Sequence, residues 1–204
     1  PTIHPRFLDI LKAARSMGFS HLQIASNGIR IAKDLEFAQK SKEAGLYTIY
    51  LQFDGTGDEV YQKTRGLSGL WELKLRAVEN AGKAGLRIVL VPTIIKTVND
   101  EQVGNILQFA IDNSDVISGI SYQPVTFTGR ISHREREAKR YTLAHLAHDL
   151  AEASGAEVAA KIAAEDRDYT LYTCLRTAKL DELPKRVDRA VAPFLAAKAL
   201  KAPP

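Results

Sequence analysis

The chain has 204 residues, is 45% hydrophobic and carries a formal net charge of +4. That is enough apolar material for one globular domain, and the basic residues are scattered rather than striped, which argues against a nucleic-acid footprint. One cysteine, Cys174, can form no internal disulfide and cannot hold a metal cluster alone, and no apolar run approaches the ~20 residues that span a bilayer.

The pattern alternates short β-branched runs with longer helical periods, as βα units and a parallel sheet require. The first helix starts after Pro5, with Phe7, Leu8, Ile10, Leu11 and Ala14 at helical spacing, and Gly18 ends it. Residues 21–25 read as a strand running into the turn Ser26, Asn27, Gly28. A helix over 33–44 and a strand over 48–53 follow, the strand ending at Asp54 and Gly55. Residues 58–65 predict a short helix plus turn and 70–84 a longer helix. Residues 87–91 form a near-continuous apolar run that suits a strand buried on both faces, ending at Pro92 and Thr93.

A helix over 100–113, capped by Asn99 or Asp100, leads to a strand over 116–123. The stretch 126–140 is basic and polar, and a last core helix covers 143–153. Two units follow from this: a core over 1–155 and a helical extension over 156–204 of unassigned role. Four strands leave an exposed parallel edge, which predicts pairing with another copy of the chain. The pattern fits either an open doubly wound sheet or a barrel whose first strands lie outside the chain.

Parallel α/β sheets place their sites at the C-terminal ends of the strands. All four ends are polar: Ser26 to Gly28, Gln52 to Gly55, Pro92 with Thr93, and Gln123 with Pro124. Asp54 and Gln52 are suited to accept from ribose hydroxyls, Asn27 with Gly28 to a tight turn, and Arg65 to a ligand carboxylate. Each residue alone is explained as well by an ordinary loop or surface pair. His145 and His148 share a helix face, but surface or packing roles suit them better than metal binding. There is no phosphate-loop motif, no dinucleotide fingerprint and no zinc-protease motif.

Taken in order, these segments resemble the radical S-adenosylmethionine (SAM) superfamily. Pro1 and Thr2 resemble the end of the second-strand G-G-E-P-T segment. Ser26, Asn27 and Gly28 resemble the third-strand T-N-G. Gln52 to Gly55 resembles the fourth-strand S-x-D-G, with Gln52 in place of serine, and Arg65 with Gly66 resembles the following R-G turn. Pro92 and Thr93 with Val98 to Asp100 resemble the fifth strand and its helix, and residues 120–130 the sixth. Within the superfamily the chain is most similar to the branch of tetraether-lipid synthases and pterin methylases, and more distantly to the molybdenum-cofactor biosynthesis protein A family.

The resemblance implies an incomplete parallel (βα) barrel, a partial TIM barrel missing its first strands. It implies S-adenosylmethionine and a [4Fe–4S] cluster as cofactors of the full-length parent, an external electron donor and a small-molecule substrate. It implies that Asn27, Gln52, Asp54, Arg65, Thr93 and Gln123 border SAM, with Val91 and Pro124 as apolar walls. The three-cysteine loop is absent, so the 204 residues alone are expected to be inactive. The low cysteine count and the lack of a signal-peptide pattern point to the cytoplasm. Two other readings are a non-radical (βα) barrel enzyme acting on a phosphorylated metabolite and a degenerate, non-catalytic barrel scaffold.

Overall fold

A computed structural model describes residues 1–127, 130–154 and 172–174. The elements run β1 (Leu22–Ser26), β2 (Leu46–Gln52), β3 (Arg87–Val91), β4 (Thr93–Ile94), β5 (Ile117–Ser121), β6 (Gln123–Pro124) and β7 (Tyr172–Cys174). Among them stand helices α1 (Phe7–Ser16), α2 (Ile29–Lys33), α3 (Leu35–Glu43), α4 (Asp58–Arg65), α5 (Leu70–Lys83), α6 (Val103–Asp112), α7 (His133–Lys139) and α8 (Leu143–Ser154). A 3₁₀ turn over Asp100–Gln102 leads into α6.

The main sheet has the order β1-β2-β3-β5-β7, with the first four strands parallel. That order never reverses. With right-handed crossovers, each connecting helix therefore lands on the same face of the sheet. A doubly wound sheet needs a reversal to cover its second face, so the sheet is one wall of a barrel.

Register separates the two faces, because partners directly opposite each other share a face. Ile49 with Ile88, and Leu51 with Leu90, face the helices and are buried with Ile117 and Ile120. The other face carries Gln23, Ala25, Thr48, Tyr50, Gln52, Val89, Val91, Gly119 and Ser121, a mixture of small and polar groups. Of these, Gln23 and Ala25 are exposed and Tyr50, Gln52 and Val91 half-buried. Thr48, Val89, Gly119 and Ser121 are buried, so one face makes the apolar core and the other is part buried and part open.

The β5 edge differs from expectation. Residues Tyr172–Cys174 pair antiparallel with β5, Cys174 lying opposite Gly119, so that edge is not free. These three residues form a strand within the segment read as helical; the rest of the 156–204 extension lies outside the described residues. Three further differences are local. The five residues after Gly28 form α2, where the reading above assigned nothing before the helix over 33–44. The polar stretch contains α7, all of whose residues are exposed or nearly so, capped by Ser132 accepting from the Glu135 N–H at 3.1 Å. Asn99 precedes the 3₁₀ turn without capping it.

Candidate functional site

The first strand tip is shaped by its side chains. Ser26 Oγ accepts from the Gly28 N–H at 3.1 Å and Asn27 Oδ1 from the Ile29 N–H at 3.2 Å. Gly28 takes φ +79°, and a Cβ there would lie 2.5 Å from Leu51 Cδ1, so only glycine lets the tip settle onto β2. Below this tip, Arg30 on α2 donates to the Thr2 carbonyl, while its guanidinium lies 3.7 Å from the Phe37 ring centroid. The Pro1–Thr2 segment is thereby held against the start of α2.

The second tip is built around a buried carboxylate. Asp54 has no exposed surface. Its Oδ2 accepts from Arg65 Nε at 2.6 Å and its Oδ1 from Arg65 Nη2 at 3.1 Å, a two-pronged charge-assisted pair. The Thr93 N–H donates to Oδ1 at 3.3 Å, and Thr64 Oγ1 lies 3.4 Å from Oδ2. Arg65 reaches this place because α4 ends there: Gly66, at φ +67°, turns the chain, and its N–H bonds the Gln62 carbonyl. The guanidinium is 36% exposed, so it meets both the buried carboxylate and the open side. Gln52 Nε2 lies 3.5 Å from Asp54 Oδ2. With its amide turned, the Gln52 oxygen accepts from Arg65 Nη2 at 2.7 Å and Nη1 at 3.1 Å. We read that orientation as the correct one, because a guanidinium offers only donors.

The third tip is locked to the second by Asn99. Its Nδ2 donates to the Asp54 and Thr93 carbonyls, both at 2.9 Å, and its Oδ1 accepts from the Ile95 N–H at 2.8 Å. Thr97, in the same loop, takes φ +65°, a strained value for a β-branched residue, and its N–H bonds Asp100 Oδ1. Thr93 then pairs with Gln123 in the short β4–β6 ladder, which brings in the fourth tip. Behind the second tip, toward α5 and α6, the packing is aromatic: Phe53 stacks on Phe109 at 5.0 Å between centroids, and Trp71 meets both edge-on.

The six residues read from the sequence therefore follow the C-terminal ends of the parallel strands: Asn27 after β1, Gln52 and Asp54 at the end of β2, Arg65 on α4 paired to Asp54, and Thr93 and Gln123 in the β4–β6 ladder just beyond β3 and β5. They differ in what they can still offer. Asn27 and Gln123 are exposed, Gln52 and Thr93 half-buried, and Asp54 is closed off by Arg65 and Thr93. Asp54 serves here as the anchor of Arg65.

Sequence reading missed Lys74. It is 2% exposed, and its Nζ donates to the Asn27 carbonyl at 2.7 Å. It stands 5.7 Å from the Tyr61 ring centroid, and Tyr61 donates to the Gly55 carbonyl at 3.1 Å. Burial lowers the Lys74 ammonium to about 8; Asp54 opposes that shift and Arg65 adds to it. A signal was present, since Leu70, Lys74, Ala77, Val78 and Ala81 share the apolar face of α5.

The histidines stay outside this site. His145 Nδ1 accepts from the Thr142 N–H at 3.1 Å, a local bond at the start of α8. His148, Asp149 and Glu152 bring one ligand atom each within 4.8 Å of one another on the surface of α8, where Asp149 accepts from the Tyr141 hydroxyl. No helix among the described residues is long and apolar enough to cross a membrane.

Comparisons with known proteins bear on the family and the fold. The radical SAM superfamily model matches residues 1–110, just over half of the chain. The chain is 44% identical over 144 residues to a 7,8-dihydro-6-hydroxymethylpterin dimethyltransferase of Methanocaldococcus jannaschii, covering 70% of this chain and 28% of that protein. It is 30% identical over 127 residues to a GTP 3′,8-cyclase of Listeria welshimeri, covering 59% of this chain and 37% of the cyclase. The chain thus spans well under half the length of both. Among solved structures, TYW1 with a lysine–pyruvate adduct bound aligns with 74% of this chain and 47% of its own, with a TM-score of 0.50 and 20% identity, a likeness of fold.

Proposed function

The chain belongs to the radical SAM superfamily, and from that premise we propose that its four strand tips form the SAM-binding edge of a radical SAM enzyme. In the parent enzyme, SAM bound at a [4Fe–4S] cluster would be cleaved reductively to a 5′-deoxyadenosyl radical that abstracts a hydrogen atom from substrate. The cluster does not fit the residues present: it needs three cysteine thiolates, and the 204 residues hold one cysteine, which β7 places opposite Gly119 at the sheet edge. We therefore expect the 204 residues alone to be inactive.

SAM does fit the tips. The half-exposed Arg65 guanidinium is oriented from behind by Asp54 and Gln52, so a carboxylate meets donors already held in place. Gln52 and Thr93 border the ribose side, Asn27 the near rim, and Gln123 with Pro124 and Val91 the nucleoside side. The aromatic packing of Phe53, Trp71 and Phe109 behind the second tip keeps water from that side. The observation that carries the reading is the chain of contacts Gln52–Arg65–Asp54–Thr93–Gln123, which makes neighbouring tips one surface.

The sheet's second face would receive the substrate. Relatives whose names differ as widely as a dimethyltransferase and a cyclase share this core, so the substrate is set elsewhere in the parent. The 44% relative favours a pterin-type substrate. Membership of the superfamily takes the place of the phosphorylated-metabolite barrel considered above, and SAM binding separates an enzyme from a non-catalytic scaffold. The test is titration calorimetry of SAM with the complete protein, wild type and Arg65→Ala. Saturable binding that Arg65→Ala weakens tenfold or more, the scale of one lost charge-assisted contact, supports the reading. Equal affinity in both proteins refutes the assignment.

A further inference from the structure

We infer that Lys74 is a positioning residue for this site: its buried ammonium ties the first strand tip, through the Asn27 carbonyl, to the charged groups of the second. The inference rests on the proposed SAM site for its ligand, but its structural half can be judged without one.

The geometry comes first. Lys74 rises from the apolar face of α5, between Leu70 and Ala77, and ends 2.7 Å from the backbone oxygen of Asn27, 47 residues away in sequence. Beyond its pairing with β2, the β1 tip is seated by the close approach of Gly28 to Leu51 and by this charged bond from α5. The charged and titratable groups around the ammonium are Asp54 at the β2 tip and Arg65 and Tyr61 on α4. Two cations, Lys74 and Arg65, against the single anion Asp54 leave a surplus positive charge among these groups, which favours an anionic ligand group such as a carboxylate.

Packing alone does not account for an ammonium here. A hydrocarbon side chain of the same length would fill the space without the cost of desolvating a charge, and replacing buried charges with apolar groups is often neutral or stabilising. Asn27 is exposed, so water would take up its freed carbonyl. The cost falls on stability and the benefit on the placement of the tip, the trade-off expected of a functional group.

The experiment compares wild type with Lys74→Met and Lys74→Arg by urea denaturation, by the amide signals of Asn27, Gly28 and Ile29 in ¹⁵N spectra from pH 6 to 10, and by SAM calorimetry on the complete protein. In Lys74→Met we expect unchanged or higher stability, displaced Gly28 and Ile29 signals, and SAM affinity reduced about tenfold or more, the range of a charged hydrogen bond. Lys74→Arg, which keeps the charge, restores most of that affinity. In wild type the same amides titrate near pH 8, and in Lys74→Met they do not.

Two results overturn the inference: SAM affinity and amide signals unchanged in Lys74→Met, or a loss of stability that accounts for the loss of affinity. If Lys74→Met does not fold, the role is structural and the inference falls. If wild type binds no SAM, the proposed function fails by itself, and the amide signals alone decide whether Lys74 holds the tip.

Discussion

The Asp54–Arg65 pair gives the sharpest prediction, because its two members differ in exposure. Arg65→Met leaves a carboxylate with no exposed surface and no paired cation, facing the neutral donors Thr93 N–H, Thr64 and the Gln52 amide, and removing one partner of a buried pair costs about 3–5 kcal/mol. Asp54→Asn leaves the guanidinium behind instead. That group is 36% exposed and can turn to water, and asparagine keeps one acceptor oxygen, so we expect a smaller loss of about 2–3 kcal/mol. The double variant removes both charges and should be no worse than Arg65→Met alone, so the coupling is at least the Asp54→Asn loss, about 2–3 kcal/mol. At about 2–4 °C per kcal/mol for a chain of this size, Asp54→Asn lowers the melting temperature by roughly 5–10 °C. Urea denaturation of the four proteins, with thermal melts by circular dichroism, gives every term of the cycle. Losses that simply add, or an Asp54→Asn loss below about 0.5 kcal/mol, would show that the two residues do not act as a pair.

Asn99→Ala should cost about 2–4 kcal/mol in denaturant, because it strands the Asp54 and Thr93 carbonyls and the Ile95 N–H in a buried place; a cost near zero would mean that water reaches them. Thr97→Gly should gain up to about 1 kcal/mol by relieving the left-handed backbone, and a loss there would refute the strain. Stability should also depend on pH through Lys74. Its folded value, about 8, lies below the ordinary 10.5, so the unfolded chain holds more protons between those limits and stability rises with pH there, by roughly 3 kcal/mol at most. Measured as the difference between wild type and Lys74→Met from pH 7.5 to 10.5, that rise should appear; a flat difference refutes a depressed ammonium.

Much of the fold was legible because buried parallel strands leave an unmistakable trace. Residues 87–91 were read to their observed limits, since all but Arg87 are apolar, while 58–65, read as a short helix plus turn, is helical throughout and turns only at Gly66. What escaped had no such trace. Helix α7 buries no residue, so no apolar period marks it, and β7 is three residues recruited by pairing with a distant strand. The site divided in the same way. Its rim was readable from strand ends, but the inward roles of Asn99 and Lys74 were not, because their partners are backbone carbonyls 45 and 47 residues away. A carbonyl carries no residue identity, so no motif encodes such a bond.

The aromatic packing behind the second tip has a practical consequence. Trp71 is the chain's single tryptophan, and it sits edge-on to Phe53, the residue just before Asp54. Its backbone N–H is held by Asp58, whose acidity is raised chiefly by the Gly69 N–H and then by that of Trp71. The indole is thus a natural fluorophore mounted directly behind the second strand end. Its emission should follow any shift of α5 against β2, so occupancy of the site can be watched in real time without attaching a dye.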